Sequence, residues 1–327
     1  MKTPLKTLGA AVLLTVVFTL PSWASRVTLN LLTETAYYAL FAVSFNLLLG
    51  HTGLLSFGHA AYLGIGAYTF AILCKNMTGL PIVLSVLAAG LMAGLGGVVA
   101  GYFCTKLKGA FFALLTLAFN QFFYAIALKW RAVTGGDDGI SLMLPAVWVP
   151  GLGSVNLAKS ENAYYFVVIV VGICLLSIWH LTQTPLGNTI RAIKANEQRA
   201  EFIGFNTFVS KWVIFSIASF YAGIAGGLYA LHQRIASTAV IDLHRSTEAI
   251  FMTFIGGVGS FFGPILGAGI YLVFTDWVSR ITDRWGIILG ILFILIVMYV
   301  HKGVVGTLAA PLVAKLQRIL RPNPLAK

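Results

Sequence analysis

The sequence predicts an all-α, polytopic integral membrane protein of about ten transmembrane helices. Three observations carry that reading. Of the 327 residues, 58% are hydrophobic and only 10% are charged, against roughly 25% charged in a soluble domain. The apolar residues fall into runs near the roughly 20 residues that a helix needs to cross the hydrocarbon. Ten such runs with short connections use nearly all of residues 1–327, which leaves one transmembrane domain and no room for a separate soluble one.

Lys2 and Lys6 precede an apolar run from Leu8 to Leu20, so the first span is expected at 7–24. Pro21-Ser22-Trp23-Ala24 also has the make-up of a signal cleavage site. Both readings stay open, and the uncleaved helix is the one adopted. Spans two to five are expected at 29–49, 54–74, 81–105 and 109–129, and span six at 163–183 beyond the outer loop 130–162. Span seven is expected at 212–232, the last three at 247–260, 263–279 and 286–301, and a basic tail follows at 302–327. Two places look interrupted: Gly50-His51-Thr52-Gly53, and Gly259-Ser260-Phe261-Phe262-Gly263-Pro264. Proline lacks a backbone donor and disfavours helix at the residue before it. Each place reads either as a tight reversal or as a broken helix that re-enters, which a membrane tolerates where the freed backbone faces protein or water. Glycines spaced by four (Gly90/Gly94, Gly97/Gly101, Gly223/Gly227, Gly259/Gly263/Gly267, Gly286/Gly290) predict close helix packing.

The net charge is +12. With the N-terminus inside, the inner segments hold 13 basic residues against two acidic ones, Glu197 and Glu201, and the outer side and its flanks hold the other nine and eight. That asymmetry places both termini in the cytoplasm. No basic patch interleaved with aromatics suggests a nucleic-acid surface. Cys74, Cys104 and Cys174 lie in apolar spans without a CxxC pair, so neither a disulfide framework nor a zinc site is indicated. There is no glycine-lysine pair for a P-loop, no HExxH and no GxSxG. The expectation is a protein that is not an enzyme and carries no cofactor or metal.

The most distinctive segment is polar, about 184–211. Thr184 is placed to cap a helix with Pro185 at its first position. Leu186, Ile190, Ile193, Ala200 and Ile203 recur at helical spacing on one face, and Arg191, Lys194, Gln198 and Glu201 on another. Gly204 is the expected stop. One face would rest on the membrane domain and the other meet a soluble partner; a basic helix lying on anionic lipid is the plainer alternative. Inside the spans the ionisable residues are few: Glu34, His59, Glu248 and Asp276. Asn46, His59, Asn120 and Gln121 are the candidates for lining a polar path, or for hydrogen-bonding across helices as structural ties. This scarcity of buried charge argues against a proton-coupled relay. At the outer side, the turn-rich Thr134-Gly135-Gly136-Asp137-Asp138-Gly139 lacks the alternating ligands of a calcium loop.

Several runs resemble one family. They are RAIKANEQRAEFIGFNTFVSKWVIFSIASFYAGIAGGLYAL, LLLGHTGLLSFGHAAYLGIGAYTFAIL, TGGDDGI and FIGGVGSFFGPILGAGIY, spread from about residue 35 to 300. The chain is similar to branched-chain amino-acid ABC transporter permeases of the LivM type. The resemblance implies a membrane subunit that pairs with a second, related permease, two cytoplasmic ATP-binding subunits and a periplasmic substrate-binding protein. It implies import of leucine, isoleucine and valine across the bacterial inner membrane. Permeases for urea, amides or other amino acids share the class. The family's coupling motif falls on Gln198-Arg199-Ala200 and Gly204, of which Ala200 and Gly204 match strictly. Arg191, Lys194, Glu197, Ala200, Glu201 and Gly204 are therefore expected to couple to the ATPase. Asp137, Asp138, Arg234 and Arg245 are expected to dock the binding protein. The rival from another class is a stand-alone channel or secondary carrier.

Overall fold

The computed structural model describes residues 21, 23–77, 80–142, 147–149, 153–155, 157, 159–282, 284–299 and 303. Most of the span expected at 7–24 and of the tail at 302–327 lies outside these residues. Helix α1 (Arg26–Asn46) is capped by Ser25, whose hydroxyl accepts from the Thr28 amide. It runs on into a π-helical turn, Leu47–Thr52, which ends at Gly53 with φ +79°, a left-handed conformation that glycine adopts without a steric cost. Leu54 to Gly58 is non-helical, and α2 begins at His59 and ends at Asn76. Helices α3 (Ile82–Cys104) and α4 (Ala110–Lys129) follow, then the single turn α5 (Arg131–Thr134). Next come α6 (Ser160–Gln183), α7 (Pro185–Ala195), α8 (Glu197–Phe202) and the long α9 (Thr207–Gln233). The last described helices are α10 (Leu243–Gly256), α11 (Gly263–Ser279) and α12 (Trp285–Tyr299). Two short antiparallel pairs are the exceptions to an all-helical fold. Strand β1 (Ile140–Ser141) pairs with β4 (Ile235–Ala236), and β2 (Val147–Val149) with β3 (Gly153–Val155).

Ten spans are expected from hydropathy. Among the described residues, five helices are long and apolar enough to cross a bilayer: Arg26–Thr52, Ile82–Cys104, Ala110–Lys129, Ser160–Gln183 and Thr207–Gln233. Most of the first expected span lies outside the described residues, and the second interruption shortens the two helices that flank it, α10 and α11. Helix α10 has 14 residues, which span about 21 Å of a hydrocarbon core roughly 30 Å thick. At the second interruption the outcome is a reversal. Gly267 faces the Met252 carbonyl and Gly256 faces Gly263, so α10 and α11 lie antiparallel in direct backbone contact. At the first, the extended backbone re-enters the bundle and is satisfied by side chains from distant helices. The Phe57 amide donates to Thr116 Oγ1 (3.2 Å) and the Ala60 amide to Ser246 Oγ (2.9 Å). In lipid such groups have no water to turn to.

Helix α9 is the hub, packed on α3 through a ladder of small residues. Gly90, Gly94, Gly97 and Gly101 of α3 face Ile224, Phe220, Ser219 and Phe215 of α9, while Gly223 of α9 lies against Ala89 and Ala93. Here the four-residue spacing predicts the contact. Gly286 and Gly290 do not follow it, having nothing nearby for a side chain to meet. A Cβ at Gly223 would come within 2.7 Å of the Ala89 carbonyl. Gly223→Ala is therefore expected to destabilise the detergent-purified protein by about 1–3 kcal/mol in a thermal melt. Gly290→Ala should leave the melt unchanged or raise it slightly.

Candidate functional site: the α7–α8 segment and its junction with the bundle

The polar segment folds as two helices, α7 and α8. Asn196 breaks the run in an extended conformation and caps α8, its side chain accepting from the Arg199 amide at 2.9 Å. Pro185 does occupy the start of α7, but Thr184 turns its hydroxyl back to the Leu181 carbonyl and caps nothing. Gly204 ends α8 at φ +98°. Its amide donates to the Glu201 carbonyl and that of Phe205 to the Ala200 carbonyl, the paired bonds of a Schellman stop. Of the expected apolar face, Ile190, Ile193 and Ala200 are buried, whereas Ile203 is 70% exposed.

The charged residues expected to meet a partner reach back toward the bundle. Arg191 Nη2 donates to the Thr182 carbonyl at 3.0 Å, and Lys194 Nζ to the Gly50 carbonyl at 2.6 Å. The long side chain allows this: the Lys194 stem lies against Gly53 and carries the ammonium to the helix end. Glu197 is held between Lys211 (2.7 Å) and Lys108 (3.1 Å). Burial alone would raise its carboxyl, but the hydrogen bonds and charges of Lys211 and Lys108 outweigh that and hold its pKa below the ordinary value. The hydrogen bond that Lys108 donates to Glu197 in turn raises the pKa of Lys108. Glu201 accepts from the Thr207 hydroxyl at 2.7 Å. The segment's outward surface is mixed: Arg191, Lys194, Gln198, Arg199 and Glu201 are exposed, and its tip is apolar, with Phe202 90% exposed, Ile203 70% and Phe205 43%. Sequence reasoning missed Phe202, Phe205 and the two clamping lysines. Two phenylalanines flanking a glycine stop inside a polar segment were the available signal.

Three of the four candidate path residues are buried ties. Asn46 uses both amide atoms on the turn between α10 and α11, accepting from the Gly259 amide (3.1 Å) and donating to the Ser260 carbonyl (2.9 Å). His59 stacks on Phe41 and bonds Ser44 Oγ at 2.9 Å. Asn120 donates to the Ile241 carbonyl at 2.9 Å. Only Gln121 is exposed.

At the opposite end, Asp137 accepts from Thr238 at 3.3 Å, and Arg234, at φ +58°, passes the chain into β4 beside β1. Asp138 is exposed on the same turn. Arg245, also expected to dock the binding protein, is bonded within its own subunit. Its guanidinium donates to Tyr38 (2.6 Å) and to Glu248 (2.9 Å), inside the helices. Of the other ionisable residues, Asp276 pairs with Arg280 at the surface (2.8 Å). Among the described residues no cluster of His, Cys, Asp and Glu has the makings of a metal site.

A family model described as branched-chain amino acid transport system / permease component matches residues 27–297. The chain belongs to this family. It is 27% identical over 303 residues to the high-affinity branched-chain amino acid transport system permease protein LivM of Escherichia coli (strain K12), covering 86% of this chain and 71% of the relative. It is 25% identical over 272 residues to the probable LivM permease of Methanocaldococcus jannaschii, with 72% and 76% covered. The galactofuranose transporter permease protein YtfT of Escherichia coli (strain K12) is 27% identical over 238 residues, with 72% and 65% covered. No solved structure matches the chain. As a LivM-like permease the protein is a multi-pass inner-membrane subunit of a branched-chain amino-acid-type ABC importer. It is a transport subunit and not an enzyme. Its family builds multi-subunit transporters, typically from paired permeases, ATPases and a binding protein.

Proposed function

We propose that this chain is one of the two permease halves of an ATP-driven importer for leucine, isoleucine and valine, with its termini and α7–α8 in the cytoplasm. Its partners are a second, related permease, two ATP-binding subunits and a periplasmic binding protein. All of residues 1–327 form one permease domain of ten crossings, counting the shortened helices. Asp137, Asp138 and Arg234 receive the binding protein. Solute passes between the two permeases along the face that carries Gln121, while Asn46, His59 and Asn120 fix the interrupted segments bordering that path.

The observation that carries this reading is the state of α7–α8. The segment is bonded through Arg191, Lys194, Glu197 and Glu201 to its own subunit, yet leaves Phe202, Ile203 and Phe205 uncovered. A lever needs both: rigid attachment at one side and an adhesive tip at the other. A groove of 460 Å³ between α3, α6 and α9, lined by residues such as Leu91, Val98 and Phe220, opens on the outside of the bundle and is almost wholly apolar. It offers no charged pair for the ammonium and carboxylate of an amino acid, which favours a path shared with a second permease.

Co-expression with the ATP-binding subunits and partner permease tests the reading. The tagged permease should retain both in detergent, and vesicles holding the assembly should accumulate leucine only with ATP inside the compartment facing the motors and binding protein outside. A permease that captures neither subunit, or that conducts solute alone, would overturn it. Galactofuranose uptake in place of leucine would keep the machine and change its cargo, a reading that the galactofuranose relative raises.

A further inference from the structure

The contact between Lys194 and the bundle is unusual in its location. The Gly50 carbonyl belongs to the last turn of the first described helix, where carbonyls have no partner within the helix and the helix end carries partial negative charge. An ammonium there makes a charge-assisted bond, stronger than a neutral one. One turn back, Asn46 grips both the Gly259 amide and the Ser260 carbonyl. Gly50 and Gly259 sit so close that a Cβ on Gly50 would come within 2.8 Å of the Gly259 nitrogen. A Cβ on Gly259 would in turn lie 3.8 Å from Lys194 Nζ. One surface helix, α7, thus meets both interruptions of the transmembrane helices at a single point.

We infer that Lys194 and Asn46 form a latch that delivers movement of α7 to both interrupted segments at once. The inference rests on the importer reading above and assigns these residues a positioning role inside the permease, instead of contact with the motor. Lys194 pulls on the end of the π-helical turn. Asn46 carries the same displacement to the turn joining α10 and α11. Non-helical backbone is where a bundle can bend without breaking a helix, so a push at α7 is spent on opening and closing the two breaks.

The test uses the complete transporter in vesicles, measuring leucine uptake and ATP hydrolysis on the same preparation. Lys194→Met is expected to keep the ATP-binding subunits bound and to change hydrolysis less than uptake, which falls about tenfold, the effect of losing one charged hydrogen bond. Lys194→Arg, which restores the donor, should recover most of the uptake. Asn46→Leu should uncouple in the same way. Lys194→Met removes no core side chain, so it decides the matter if Asn46→Leu fails to fold. Uptake and hydrolysis falling in proportion, or uptake unchanged, would overturn the latch. A Lys194→Met permease that loses the ATPases would also overturn it, by putting Lys194 in the motor contact. A wild-type permease that never captures them would instead sink the importer reading itself.

Discussion

Glu248→Ala is expected to lower the stability of the purified permease by about 3 kcal/mol. Glu248 is buried within α10 and receives Arg245 Nη1 through both carboxylate oxygens, at 2.9 and 3.2 Å. The same guanidinium donates to Tyr38 and lies near the rings of Tyr38 and Tyr229, 5.8 and 5.9 Å from their centroids. Removing the carboxylate leaves a guanidinium packed among tyrosines that has lost its bonded carboxylate, with Glu34 of α1 the remaining acidic group acting on it. That is the costly half of a buried ion pair. The Arg245 side chain keeps 25% of its surface, so solvent softens the penalty and the lower end of the range applies. The pair itself need not be stabilising: replacing both members with apolar residues of similar volume is often neutral or better. Arg245→Met with Glu248→Leu should therefore recover much of what Glu248→Ala loses. A thermal melt in detergent checks the series. An unchanged melt for Glu248→Ala would mean that the guanidinium finds water, and that Arg245 is after all available at the surface.

That cluster marks the limit of what the sequence discloses. Arg245 and Glu248 are three residues apart on one helix, a spacing at which they can pair, but a position near the start of a short span reads equally well as a headgroup contact. Its burial depends on Tyr38 and Tyr229, which lie on α1 and α9. The packing ladder between α3 and α9 was legible because one residue type repeats at the helical period. Helix positions were legible for a similar reason, hydropathy being a local sum. The break after Gly50-His51-Thr52-Gly53 is flagged by its glycines, but its extent to Gly58 is not: Leu54, Leu55 and Phe57 are apolar and read as part of a span at 54–74. What holds it open is hydrogen bonding to Thr116 and Ser246, two hydroxyls remote in sequence. In the same way the period of α7 showed which face carries Arg191 and Lys194, but not that their heads turn back onto Thr182 and Gly50.

Phe202→Asp is expected to abolish retention of the ATP-binding subunits while leaving the permease folded. Phe202 and Ile203 are among the most exposed large apolar residues described, so replacing either removes little packing from this subunit. The loop beneath them is fixed without their side chains, by the Asn196 cap, the Glu197 clamp and the backbone bonds around Gly204. A rigid aromatic held out on such a base loses little freedom on binding, and anchors of this kind dominate interface energetics at about 2 kcal/mol or more each. By the ordinary conversion that weakens capture about 30-fold, and burying a carboxylate in place of the ring adds its own desolvation. Phe205→Asp should act in the same direction but less, because Phe205 is about half as exposed as Phe202. The competing role for this tip is an anchor in the lipid headgroups, where aromatics also gather. Pull-down separates the two. An anchor would leave the ATPases bound to Phe202→Asp and change only the loop's association with the bilayer. A motor contact would release them from a permease whose melt still matches wild type.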